Sequence, residues 1–122
     1  MNAWLLVAAI NGFIAVAAGA FGAHGLRSRL DAHALQTFET AARYQMYHAL
    51  AIGLAALFAR SSVVTLSCAL FLAGIILFSG SLYLLALTGA RAFAFITPFG
   101  GLVFLAGWAA LAYAAVTTGS TR

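Results

Sequence analysis

The chain alternates long apolar runs with short polar breaks, and most of the breaks fall at arginines. Ahead of Arg27 only His24 among the side chains could carry a charge. Arg60 to Arg91 encloses 30 residues without Asp, Glu, Lys or Arg, and Arg91 to Arg122 encloses 30 more. A helix that crosses a bilayer needs about 20 predominantly apolar residues. Each interval therefore holds one span, at roughly 3–23, 63–87 and 97–117. The other span is shorter of room, because Arg43 to Arg60 encloses only 16 residues. It must begin near Glu39 or Thr40 and run over about 40–59, which puts Arg43 within a turn of the membrane edge or inside the bundle. The stretch before it is helix-like too. Asp31 suits an N-cap, and Leu30, Ala34, Leu35, Phe38 and Ala42 recur at helical spacing. The pattern predicts one long helix from about Asp31 to Phe58, amphipathic first and spanning afterwards.

The last helix has a marked start, with Thr97 as a candidate cap and Pro98 at the first helical position. Phe93 to Ile96 precede it near the interface, and Trp4, Trp108 and Tyr113 are candidate interfacial anchors. The tail after Gly119 is expected to fray. Short turns near Arg60 and Arg91 favour antiparallel neighbours. The fold class is thus an all-α membrane protein: one four-helix antiparallel transmembrane bundle over residues 1–122, with an amphipathic extension at the start of the second helix.

Composition strengthens this reading. The 122 residues are 65% hydrophobic and 7% charged, whereas a soluble domain averages roughly a quarter charged. Such a chain lacks the polar surface that water requires. Its basic residues are six arginines, scattered rather than aligned, so they mark membrane edges and argue against a nucleic-acid interface. Ala18-Gly19-Ala20 resembles a signal-peptide cleavage site, but Met1-Asn2-Ala3 lacks the basic segment such a leader carries, so the first helix is expected to be retained. Cys68 is the only cysteine and reads as a small apolar core residue.

Small residues recur on single helical faces: Asn11, Ala15, Ala18, Gly22 and Gly25 in the first helix, Ser67, Gly74 and Ser81 in the third, and Gly100, Gly107 and Ala114 in the fourth. In lipid, helices associate through close packing, which small side chains permit. Asn11, Gly22, Gly25, Gly74, Gly100 and Gly107 are therefore expected to be helix-packing positions. On a helical wheel the second helix places Leu35, Ala42, Met46, Ala49, Leu50, Gly53 and Leu57 on one side, suited to lipid. Gln36, Glu39, Thr40, Arg43 and Tyr47 fall opposite, flanked by Thr37, Tyr44, Gln45 and His48. Glu39 and Arg43 have the spacing of an ion pair, and Tyr44 and His48 that of a hydrogen bond. An ionisable residue within a membrane is a functional candidate by default. The first turn should also bring His24 back beside the second helix. The candidate polar cluster is therefore His24, Glu39, Arg43, Tyr44, Gln45, Tyr47 and His48, acting either as a site or as a structural clasp. The three histidines share no ligand spacing, so neither metal nor haem is expected. No catalytic set stands out, and an enzyme is not expected.

Four ordered motifs carry a resemblance. They are Gly19-Ala20-Phe21-Gly22-Ala23-His24-Gly25, then Ala42-Arg43-Tyr44-Gln45-Met46-Tyr47-His48-Ala49-Leu50, then Phe78-Ser79-Gly80-Ser81-Leu82-Tyr83, and last Thr97-Pro98-Phe99-Gly100-Gly101 with Gly107-Trp108. Together, from about Asn11 to Trp108, they resemble the YgdD-like bacterial inner-membrane family, whose eukaryotic relative is transmembrane protein 256. The resemblance implies a small multi-pass protein of the bacterial inner membrane and implies no reaction and no cofactor. Both termini should lie on one side. Counting Arg27, Arg29, Arg43 and Arg91 against Arg60 and Arg122 places them outside by the positive-inside rule. The basic middle turns and tails of family relatives point to the cytoplasm, which is the side expected here. Two classes of function remain: a non-catalytic accessory, assembly or lipid-interacting module, or a protein that binds or transports a small molecule (quinone, lipid head group, haem or solute) at the polar cluster of the first two helices. The partners expected are membrane lipids, with a larger membrane complex or a second copy of the chain as candidates.

Overall fold

A computed structural model describes residues 1–119, and among them every regular element is helical. Four long helices follow one another: α1 (Ala3–Gly25), α2 (Ala32–Phe58), α3 (Ser62–Thr88) and α4 (Thr97–Gly119), with a short 3-10 turn, Arg91–Phe95, ahead of α4. The expected fraying of the tail after Gly119 lies outside the described residues.

Short polar side chains set the helix starts. Asn2 Oδ1 accepts from the Leu5 N–H at 3.1 Å, Asp31 Oδ1 from Ala34 at 2.7 Å, and Ser61 Oγ from Val64 at 3.1 Å. Each satisfies a first-turn donor that has no partner within its own helix. α3 ends at Gly89, whose φ of 71° is the left-handed conformation that glycine adopts without strain. Thr97 departs from its expected role as a cap. Its hydroxyl lies 2.6 Å from Ser81 Oγ, with the Phe93 carbonyl a longer 3.3 Å away, so it ties α4 to α3.

By length and composition, three segments could cross a membrane: Ala3–Gly25, Ser62–Thr88 and Arg91–Thr117. α2 is not among them, because any stretch of it long enough to cross contains Arg43, Gln45 and His48. It is instead the element on which the others meet. Along α1 its contacts run in reverse sequence order: Ala8 faces Gly53, Asn11 bonds Gln45, Gly19 faces Ala42 and Gly22 faces Phe38. Towards α3 it sets Phe38 against Tyr83, Tyr44 against Phe78 and His48 against Phe71. Towards α4 it sets His48 against Phe104 and Trp108.

These several contacts redraw the faces expected of α2. Ala42 and Ala49, assigned to lipid by the wheel, are buried, and Gly53 packs on Ala8. Arg43 and Tyr47, on the wheel's opposite side, are exposed. Three neighbours close off a wide small-residue face of α2, including Ala41, Ala51 and Ala55. The open face then carries Arg43 and Tyr47 and continues through Leu50, Leu54 and Leu57. Large apolar side chains elsewhere also point outward, among them Phe13, Leu102 and Leu105, while alanine, serine and glycine fill many of the contacts around Ile52, Phe71 and Phe104. That distribution suits lipid as solvent, where close packing replaces the hydrophobic drive between helices.

Candidate functional site

The polar groups that α2 turns inward form two short chains of hydrogen bonds. In the first, Tyr83 Oη donates to Gln45 Oε1 at 2.8 Å, and Gln45 Nε2 donates to Asn11 Oδ1 at 3.0 Å. Asn11 Nδ2 closes the chain on the Val7 carbonyl at 2.9 Å. One carboxamide thus joins α1 to α3 through α2, with its oxygen and its nitrogen both engaged. In the second, Trp108 Nε1 donates to His48 Nε2 at 3.2 Å, and His48 Nδ1 meets the Tyr44 carbonyl at 2.8 Å. An indole N–H only donates and a carbonyl only accepts. His48 is therefore held as the neutral tautomer with its proton on Nδ1, its ring stacked 3.5 Å from that of Phe104.

Serines fasten α3 to α4. Ser67 Oγ donates to the Gly107 carbonyl at 2.9 Å, and Ser81 donates to the Phe78 carbonyl while meeting Thr97. Glycines make that approach close. A Cβ at Gly100 would stand 2.7 Å from Phe78 Cα, one at Gly107 would stand 2.7 Å from the Phe71 ring, and one at Gly74 would collide with the ring of Phe104. A Cβ at Gly22 would meet Phe38 at 3.2 Å. Gly25, expected on the same packing face, has open space in that direction because α1 ends there.

The seven residues singled out from the sequence separate into two groups. Gln45 and His48 are buried and bonded as above. Tyr44 enters the interior through its carbonyl, so its expected partnership with His48 is made by the backbone rather than the phenol. Its ring lies across Phe78 on one side and Tyr47 on the other. His24 is exposed at the end of α1 and hydrogen-bonds to none of the other six. Glu39 and Arg43 form no ion pair with each other among the described residues, and both line an open groove between α1 and α2 together with Tyr47. Trp108, expected at the interface, instead directs its N–H into the bundle. Ser79 Oγ is buried without a hydrogen-bond partner, in a π-helical turn of α3, Ile75–Ser79. Among the described residues no three His, Cys, Asp or Glu side chains are placed to share a metal ion.

The contacts explain the four motifs as one arrangement. Gln45 and His48 of the second motif bond Tyr83 of the third and Trp108 of the fourth, and Gly19 and Gly22 of the first lie on Ala42 and Phe38 of α2. A model of proteins of unknown function, DUF423, matches residues 18–101. The chain belongs to that family. The UPF0382 inner membrane protein YgdD of Escherichia coli K12 is 50% identical over 115 residues, covering 92% of this chain and 88% of the relative. A UPF0382 membrane protein of Haemophilus influenzae is 46% identical, covering 92% of each chain. One from Staphylococcus aureus is 43% identical, covering 88% of this chain and 90% of its own. No solved structure matches. The protein is thus a membrane protein of a family to which no reaction is attached, and the second, third and fourth motifs hold the residues that join α2 to α3 and α4.

Proposed function

We propose that the protein is a non-catalytic module of the bacterial inner membrane, an accessory, assembly or lipid-interacting component, folded as a four-helix antiparallel transmembrane bundle. The carrying observation is that the amide and the imidazole that α2 turns inward are fully occupied by neighbouring groups. Gln45 uses both ends of its amide on Asn11 and Tyr83, and His48 uses both ring nitrogens on Tyr44 and Trp108. A site for chemistry would keep donors or a nucleophile free toward a bound molecule. α2 crosses with the other three because its second half is apolar and its inner face is closed, while its first two turns extend beyond the hydrocarbon as an amphipathic segment. Both termini share one side, taken as cytoplasmic from the resemblance. Arg43 lies on a lateral face, so the opposing arginine count rests mainly on Arg27, Arg29 and Arg91. No enzyme activity and no cofactor is assigned, and nucleic acid is not a partner; a larger membrane complex or a second copy is.

The test is purification at native expression, followed by an absorption spectrum and identification of co-purifying components. Co-purified membrane proteins or lipid with a featureless visible spectrum are expected. A stoichiometric chromophore would overturn the reading in favour of a small-molecule site.

A further inference from the structure

The seam between α1 and α2 is open to the side, and its polarity changes along its length. Next to Arg43, Glu39 and Tyr47 lies a hollow of about 440 Å³ floored by Gly19 and Ala42. It adjoins a hollow of about 480 Å³ over Gly12 and Phe13, and then one of about 490 Å³ bounded by Leu50, Leu54 and Leu57. Met46 lines all three, and Gly12 lines the second and third, so they form one trough. From Arg43 to Leu57 the trough follows α2 for about 21 Å at 1.5 Å per residue. One leaflet of the hydrocarbon core is about 15 Å deep. The trough is therefore charged at one end, apolar over the rest, and longer than a leaflet.

The charged end needs a partner from outside the chain. The sequence has two side-chain carboxylates, Asp31 and Glu39. Asp31 caps α2, and neither is within ion-pair distance of Arg43. An unpaired guanidinium on the lateral face of a membrane helix is costly, and a guanidinium matches the oxygens of a phosphate in paired hydrogen bonds. The Tyr47 hydroxyl, with no hydrogen-bond partner among the described residues, stands one turn deeper. Glu39 stands about one turn nearer the capped end of α2, about 6 Å outward along the axis. A carboxylate there would repel a second negative charge and attract a cation.

We propose that this trough binds one aminophospholipid, with its phosphate on Arg43, its ammonium on Glu39 and an acyl chain lying over Gly12 toward Leu54. The order of charges along α2 is that of a zwitterionic head group entering from the α2 start, and an ethanolamine ammonium, unlike a choline, has N–H groups to donate to the Glu39 carboxylate. It selects this class over phospholipids whose head carries a net negative charge. The assignment rests on the lipid-interacting form of the proposed function.

The test reconstitutes the protein in vesicles of phosphatidylcholine containing equal fractions of phosphatidylethanolamine and phosphatidylglycerol, extracts it gently, and counts retained lipids by native mass spectrometry. The wild type is expected to keep one phosphatidylethanolamine per chain. Arg43→Gln should lower that occupancy about tenfold, a factor equivalent to about 1.4 kcal/mol. Glu39→Gln should keep a phospholipid but lose the preference for phosphatidylethanolamine. Gly12→Leu, which fills the trough where a Cβ meets nothing within 4 Å, should abolish retention with both charges intact and serves if Arg43→Gln fails to fold. Inorganic phosphate added at millimolar concentration should not displace the lipid. Displacement by phosphate, a wild type that retains no lipid or prefers phosphatidylglycerol or phosphatidylcholine, or full retention by both Arg43→Gln and Gly12→Leu would each overturn the proposal. None of these outcomes produces a chromophore, so its failure is distinct from failure of the broader reading.

Discussion

At the scale of single residues, the interior separates hydroxyls and amides that make a bond between helices from one that does not. Ser67 and Ser79 are both buried, yet Ser67 donates across to Gly107 and Ser79 has no partner. Ser67→Ala should destabilise the bundle by about 0.6–1.7 kcal/mol, the range for polar contacts between membrane helices. Ser79→Ala should leave stability unchanged or raise it, since an unsatisfied buried hydroxyl costs free energy. Thermal unfolding of the two variants in the same detergent checks the pair, and an equal loss in both would contradict the hydrogen-bond assignment. Gln45 offers a stronger contrast, because its amide holds two partners on two helices. Gln45→Ala should cost about 1–2 kcal/mol, and further removal of the Tyr83 hydroxyl should add less than its effect in the wild type. A double-mutant cycle with Tyr83→Phe measures that coupling. The sequence marked Gln45 and His48 as polar positions of interest and paired His48 with Tyr44, but named no partner for either on α3 or α4. Tyr83 and Trp108 are 38 and 60 residues away in the chain, and no local pattern relates them. Glu39 and Arg43 misled for the converse reason: favourable i, i+4 spacing permits an ion pair but does not decide where two long side chains on an open face point.

At the scale of elements, glycine spacing was informative where helices press together and uninformative where they end. Gly74, Gly100 and Gly107 follow a seven-residue pattern in their own helices and sit at the α3–α4 contact. Gly25 continues the pattern of α1 past the point at which α2 lies alongside. The distinction yields a graded expectation. Gly100→Ala would place a methyl group against the Phe78 backbone, which cannot rotate away, and should cost more than about 3 kcal/mol, above the usual range for overpacking. At Gly22 the obstacle is the ring of Phe38, which can shift, so Gly22→Ala should cost about 1 kcal/mol. Gly25→Ala meets nothing within 4 Å and should change stability by less than about 0.5 kcal/mol. Unfolding midpoints in the order Gly25→Ala, Gly22→Ala, Gly100→Ala, from highest to lowest, are the expected result. Helix limits were largely legible, since Asp31 caps α2 as its position before an apolar-periodic run implied. Thr97 was not, because a hydroxyl beside proline serves equally as a cap or as a link, and only the proximity of Ser81 decides between them.

At the scale of the whole molecule, α2 is the least apolar of the four helices and the one whose side chains meet all three others. These two properties support each other. A helix carrying Gln45 and His48 can sit at bilayer depth when those groups are bonded to protein, and the helices that enclose it need only be apolar outside. If all four helices cross, the α1–α2 and α3–α4 turns lie on one side, opposite the N-terminus and the α2–α3 turn. The buried native cysteine makes this testable with little interference, because Cys68 should not react with a bulky reagent in the folded protein. Single cysteines at Ser28 and Ala90, both exposed, report one end, and one at Ser62, also exposed, reports the other. With cytoplasmic termini, a membrane-impermeant maleimide applied to intact spheroplasts should label Ser28→Cys and Ala90→Cys and spare Ser62→Cys until the membrane is opened. The reverse pattern would invert the proposed orientation yet keep four crossings. Labelling of Ser28→Cys and Ser62→Cys from the same side would mean that α2 does not cross. In that case its polar first half, rather than the bonded face that carries Gln45 and His48, would determine where the helix lies.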